Sequence, residues 1–119
     1  MVILLRKATD SDMALILAWR NNPLVYETCY TQGYLRRGLI PWEEHFSWWN
    51  SHRHWQRLII QVASETGIRD VGYIQFADWG DRLADIGIYI GEVTLWGKGI
   101  ARDALRLGLE ELKPQGFNK

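Results

Sequence analysis

In Ala84-Asp-Ile-Gly-Ile-Tyr-Ile-Gly-Glu-Val-Thr-Leu-Trp-Gly-Lys-Gly-Ile-Ala101, an isoleucine-rich strand pattern gives way to Gly97-Lys98-Gly99 and then to a helical one. Downstream, Ala101, Ala104, Leu105, Gly108, Leu109 and Leu112 recur at three- and four-residue spacing, the apolar face of a helix that Pro114 stops. A strand, glycines and a helix start together form an arrangement that binds phosphate. The amides of the first helical turn have no intrahelical acceptor, so they point at a ligand, and the helix dipole adds positive potential. Each charge-assisted amide bond contributes about 1.5–3 kcal/mol and the dipole about 0.3–1, so several amides on one diphosphate suffice to anchor a cofactor. Lys98 and Arg102 add a screened attraction. The plainer alternative is that the glycines serve only the turn from strand to helix.

Working outward, residues 58–63, 71–77 and 84–90 read as strands. Glu65-Thr-Gly67 and Gly80-Asp-Arg82 separate them at hairpin-like distance, which predicts an antiparallel meander. At the other end of the chain, Val2-Ile-Leu-Leu5 is a short strand run, and Thr9-Asp-Ser-Asp12 supplies capping residues with an acid three places after Thr9. Met13, Ile16, Leu17 and Arg20 then mark a helix to about Arg20, ended by Asn21-Asn-Pro23 because the residue before proline avoids helical dihedrals. From Leu24 to Ile40 the pattern is weak, with Gly33 and Gly38 as breakers and three tyrosines, and it reads as a mobile or substrate-facing segment. Pro41-Trp-Glu-Glu44 suits a second helix start. In that helix Trp42, Phe46, Trp49 and Arg53 share a face, with Trp48, His52 and Trp55 beside it, so these aromatics are expected to pack on the sheet.

Composition sets the outer bounds. A length of 119 residues suits one domain, 1–119, and 47% hydrophobic with 24% charged residues is globular. Fourteen Lys+Arg balance fourteen Asp+Glu, which leaves no electrostatic footprint for nucleic acid or an anionic membrane; any anion site must be local. No apolar stretch approaches the roughly 20 residues that span a bilayer, and Met1-Val-Ile-Leu-Leu-Arg6 lacks the form of a signal peptide, so a cytoplasmic protein is expected. The lone Cys29 excludes an intrachain disulfide and reads as a small buried hydrophobe. His52-Arg-His54 does not make a metal pair: residues two apart on a helix diverge, and no cysteine or acidic cluster completes a site, so no metal is expected.

Spacing separates the phosphate-loop grammars. A mononucleotide loop needs four residues between its first glycine and Gly-Lys, then Ser or Thr; here Gly91 stands too far ahead of Gly97-Lys98, and Gly99 follows. A dinucleotide fingerprint wants Gly or Ala where Arg102 stands and should open a parallel βαβ unit. The third grammar fits: Trp96-Gly-Lys-Gly-Ile-Ala101 resembles the acetyl-coenzyme A loop of the GNAT superfamily of N-acetyltransferases, Gln/Arg-x-x-Gly-x-Gly/Ala, matching at Gly99 and Ala101. Trp96 departs from the usual first residue, but Trp-Gly-Lys-Gly resembles the branch of ribosomal-protein N-terminal and amino-sugar acetyltransferases. Leu5-Arg-Lys-Ala-Thr-Asp10, Trp19-Arg-Asn-Asn-Pro23, Trp42-Glu-Glu-His45 and Ala84-Asp-Ile-Gly-Ile-Tyr-Ile-Gly91 resemble that branch too, in its order, so the likeness covers essentially the whole chain.

The resemblance implies an α+β fold, a mixed, mainly antiparallel sheet flanked by helices in the order β-α-α-β-β-β-α. It implies acetyl-CoA as co-substrate and a primary amine as acceptor: an amino sugar, another small amine or a protein N-terminus. Ile88, Tyr89 and Ile90 match the fourth-strand positions that hold the pantetheine arm and supply an oxyanion donor, while Trp96, Gly97, Lys98, Gly99, Ile100, Ala101 and Arg102 match the diphosphate loop. An amine with pKa near 10 must lose a proton before attack, so a carboxylate is expected to accept it. Asp85 stands at the head of the fourth strand, where family members often carry an acid, although a turn-adjacent solvated acid is an equal reading; Glu27, His45 and Asp78 are weaker candidates. Family domains normally continue with a fifth strand, a fourth helix and a terminal hairpin, often with a tyrosine that protonates the thiolate. The sequence stops short of these, which predicts a fragment, or a homodimer formed through the open sheet edge or by exchanged elements. Two further readings stand beside the enzyme: a non-catalytic acyl-CoA or nucleotide-binding module, and a tryptophan-rich carbohydrate or peptide binder using Trp42, Trp48 and Trp55.

Overall fold

Among the described residues, alternating apolar runs pair into a single antiparallel sheet of four strands in the order β1-β2-β3-β4, where β1 is Val2–Lys7, β2 Gln56–Ser64, β3 Gly67–Asp78 and β4 Leu83–Ile90. The computed structural model describes residues 2–26, 40–53, 55–78 and 83–112, with backbone alone at 26, 77, 78, 83–85 and 112. The expected α+β class and the meander appear, and the expected order β-α-α-β-β-β-α gains one short helix, Pro23–Tyr26, between its first two helices. Helices α1 (Met13–Arg20), α2 (Pro23–Tyr26), α3 (Trp42–Ser51) and α4 (Ile100–Leu112) flank the sheet. No helix among the described residues is long and apolar enough to cross a membrane.

Strand alternation divides the core between the two faces. On one face Leu58, Ile60, Ile74, Phe76 and Ile90 pack with Ile100 and Ala104 of α4; on the other Ile59 and Tyr73 meet Met13, Ile16 and Trp19 of α1 and Trp49 of α3. The β2–β3 register slips between Ile60, opposite Gly72, and Gln61, opposite Asp70, so Val71 is the extra residue of a bulge. The Val71 carbonyl then accepts from both Gly91 (2.8 Å) and Glu92 (3.1 Å), which fixes where β4 ends and its loop begins.

Polar contacts orient the helix layer. Asp12 takes a bidentate bond from Arg6 (2.9 and 2.8 Å) and accepts from the Thr9 amide (2.8 Å), so the capping residues expected at 9–12 also tie the start of α1 to β1. In α3 the expected aromatic face is corrected: Trp49 is 1% exposed and His45 fully buried, but Trp42 and Phe46 are 45% and 47% exposed. The Trp49 indole donates to Asp10 (2.8 Å), while its ring lies under the Arg57 guanidinium (3.7 Å), which itself donates to the Trp49 carbonyl. These partners, rather than aromatic spacing, set the rotation of α3 about its axis.

Candidate functional site

The loop between β4 and α4 is shaped by two glycines and two indoles. Gly97 (φ +83°) and Gly99 (φ +76°) lie in the left-handed region that side-chain-bearing residues resist, and they turn the chain from the sheet into α4. The Gly99 carbonyl accepts the first helical bond, from Asp103 (3.1 Å), so Gly99 is the cap residue and has no side-chain oxygen to spend on the amides that follow. With Asp103 bonded to Gly99, the four amides that open α4, those of 99–102, have no intrahelical acceptor. Behind the loop, the Trp19 ring lies so close to Gly91 that a Cβ there would fall 2.2 Å from the indole. In front, the Trp96 indole donates to the Ile90 carbonyl (2.8 Å).

Among the described residues β4 is the outermost strand of the sheet, and the groups on its outer side can be assigned. Gly91 donates to Val71 on β3, so by alternation Tyr89 also faces β3, while Ile88 and Ile90 turn their amides and carbonyls to the free edge. The open edge of β4 and the amides ahead of α4 meet in one groove of about 250 Å³. Of the ten cofactor positions expected from the sequence, nine line it: 88–90, 96, 97 and 99–102; Lys98 is exposed beside it. Val25 of α2 and Leu95 complete the wall, two residues that sequence reasoning did not place there. Val25 fell in a stretch without readable periodicity, and Leu95 was one apolar residue within a loop. The Arg102 side chain is 83% exposed and folds back over Gly99, within 2.8 Å of where a Cβ would stand.

The expected proton acceptors divide. Asp85 enters β4 opposite Ala77, about 10 Å along the strand from Ile88 at 3.4 Å per residue. Asp78 stands opposite Leu83 at the far end of β3. The side chains of these two acids, and the whole of Glu27, Cys29 and His54, lie outside the described residues. His45 is placed clearly and is not available: its Nε2–H donates to the Met13 carbonyl (2.9 Å) and its Nδ1 accepts from Arg20 (3.0 Å). Burial first, and Arg20 second, hold its pKa down at about 4, so it is neutral and serves to join α1 to α3. Trp48 and Trp55 are half-buried in a cluster with His52, and Arg20 lies over Trp48 (4.5 Å), so of the three tryptophans weighed as a binding surface only Trp42 is exposed. No group of three metal-ligating side chains occurs among the described residues.

Comparison with known proteins places this geometry. An uncharacterized protein of Methanocaldococcus jannaschii is 40% identical over 117 residues, 98% of this chain, and the chain spans 23% of that relative's length. The crystal structure of a domain from the same organism superposes with a TM-score of 0.85 at 40% identity, covering 97% of this chain and 72% of that one. At 18% identity, the spermidine N-acetyltransferase of Vibrio cholerae, solved with CoA and spermine, shares the fold with a TM-score of 0.68 over 91% of this chain and 62% of its own. So does yncA of Salmonella typhimurium, solved with its cofactor acetyl-CoA, with a TM-score of 0.69 over 98% of this chain and 66% of its own. A family model described as the acetyltransferase (GNAT) domain matches residues 3–117, nearly the whole sequence, and the chain therefore belongs to the GNAT acetyltransferase family.

Proposed function

We propose that this chain binds acetyl-CoA in the groove between β4 and α4 and transfers its acetyl group to a primary amine, as a domain of the ribosomal-protein and amino-sugar branch. The observation that carries the reading is the set of four amides at the start of α4, 99–102, which have no intrahelical acceptor and stand directly beside a strand edge that is open among the described residues. A diphosphate needs several convergent donors, and amides held by the backbone cost no side-chain entropy to orient. The arm of the coenzyme contains amide groups of its own, which suit pairing with Ile88 and Ile90 as an added strand would. A thioester carbonyl at that edge then has a strand amide to receive the charge that develops when nitrogen attacks carbon. The amine loses its proton to a carboxylate, for which Asp85 is the proposed group, directly or through water. As the tetrahedral adduct collapses, the C–S bond breaks, the thiolate leaves with the coenzyme and takes up, directly or through water, the proton that the cationic adduct nitrogen gives up, and the neutral amide product remains.

Calorimetric titration with acetyl-CoA, followed by a free-thiol assay against amino sugars, polyamines and peptides with free N-termini, tests this. Binding with amine-dependent thiol release is the expected result. Binding with no release from any amine would favour the acyl-CoA-binding module, and no binding would end both readings.

A further inference from the structure

Resting on the acetyl-CoA reading, we infer that Trp96 is a positioning residue whose indole couples the two halves of the groove. It locks the diphosphate loop at a fixed distance from the strand edge that receives the pantetheine arm. The side chain leaves the chain at the first residue of the loop and returns six residues to the Ile90 carbonyl, the last outward-facing acceptor on β4. Its ring lines the groove between the two regions and is 39% exposed. On the strand side, Ile90 lies opposite Gly72, and the Gly91 and Glu92 bonds to Val71 fix the chain immediately after it. On the loop side, Trp96 is followed by Gly97 and, after Lys98, by Gly99, the two residues of the loop with least resistance to backbone rotation. The indole bond is therefore the brace between a rigid strand and a chain segment that glycine leaves adjustable.

A ligand that occupies only one half of the groove gains nothing from such a brace. A ligand that spans both halves gains the effective concentration of its second half, which depends on the two subsites keeping their separation. Occupying the Ile90 carbonyl from the protein side also leaves the Ile90 amide and the Ile88 groups as the edge contacts open to the arm, which narrows the register the arm can adopt.

The test compares ADP, which reaches the diphosphate amides alone, with CoA, which spans both halves. Trp96→Phe keeps the ring and deletes the N–H. CoA should weaken by about 2- to 10-fold, the loss of one hydrogen bond, while ADP stays within about 2-fold of wild type. Trp96→His, which retains a ring N–H, should recover part of the CoA affinity and carries the comparison should the phenylalanine variant not fold. Unchanged CoA affinity in Trp96→Phe overturns the brace, and so does a parallel fall in ADP and CoA, which would mean that the indole only holds the loop together. Wild-type protein that binds neither ligand removes the acetyl-CoA reading itself, a result distinct from either.

Discussion

His45 makes two hydrogen bonds that only one protonation state can make. The Met13 carbonyl accepts and the Arg20 guanidinium donates, so the ring must present one N–H and one bare nitrogen. A second proton would set two donors against each other at 3.0 Å inside the core. The folded pKa, about 4, therefore lies below the ordinary 6.5, and the unfolded chain binds the proton first as pH falls. The contribution of His45 is whole above about pH 6.5, is lost progressively toward pH 4, and amounts to about 3 kcal/mol. Asp12, held below the ordinary carboxylate range chiefly by Arg6, and Asp10, held there chiefly by the Trp49 indole, stay ionised through this window. Denaturant midpoints measured between about pH 7 and about pH 5 should fall steeply in the wild type and flatten in His45→Gln. Equal slopes in the two proteins would show that the histidine is not held neutral.

α3 is the element where sequence periodicity and packing part company. Counting aromatics at helical spacing puts Trp42, Phe46 and Trp49 on one face, yet only Trp49 is buried. Periodicity weighs residues by hydrophobicity, whereas the rotation of this helix answers to groups that must be paired: the Trp49 indole on Asp10, and the two nitrogens of His45. A partner 39 residues away in sequence leaves no local signal. Phe46→Gln should accordingly change stability by less than about 0.5 kcal/mol, the range of ordinary surface substitutions. Trp49→Phe, which strips a buried ring of its N–H and part of its volume, should cost about 1–3 kcal/mol. Thermal or chemical unfolding reads both, and comparable losses would return α3 to the face that spacing suggests. The strands and α4 were legible because one kind of interaction, apolar burial at period 2 or 3.6, governs them; the groove was legible because its glycines mark the positions where the backbone must turn back. Val25 was not, because its place in the wall depends on where a four-residue helix comes to rest against the loop.

At the scale of the whole molecule, fourteen cationic and fourteen anionic side chains cancel, so no net field draws a polyanion toward the groove. For the proposed coenzyme, attraction would come from the last few ångströms, from backbone amides and from the exposed cations Lys98 and Arg102. These two sources respond differently to salt. Amide bonds at contact distance are made or broken with the ligand and are scarcely screened, while exposed side-chain charges lose their reach as the Debye length falls from about 10 Å at 0.1 M salt to about 3 Å at 1 M. If the amides carry the diphosphate, CoA affinity should drop by less than about 10-fold across that range. The doubly substituted Lys98→Ala, Arg102→Ala protein should still bind, with most of the remaining salt dependence gone. Calorimetry at the two ionic strengths measures both quantities. A loss of binding in the double variant, or a fall of several hundredfold with salt, would assign the diphosphate to the two side chains, and the loop geometry at Gly97 and Gly99 would then need another explanation.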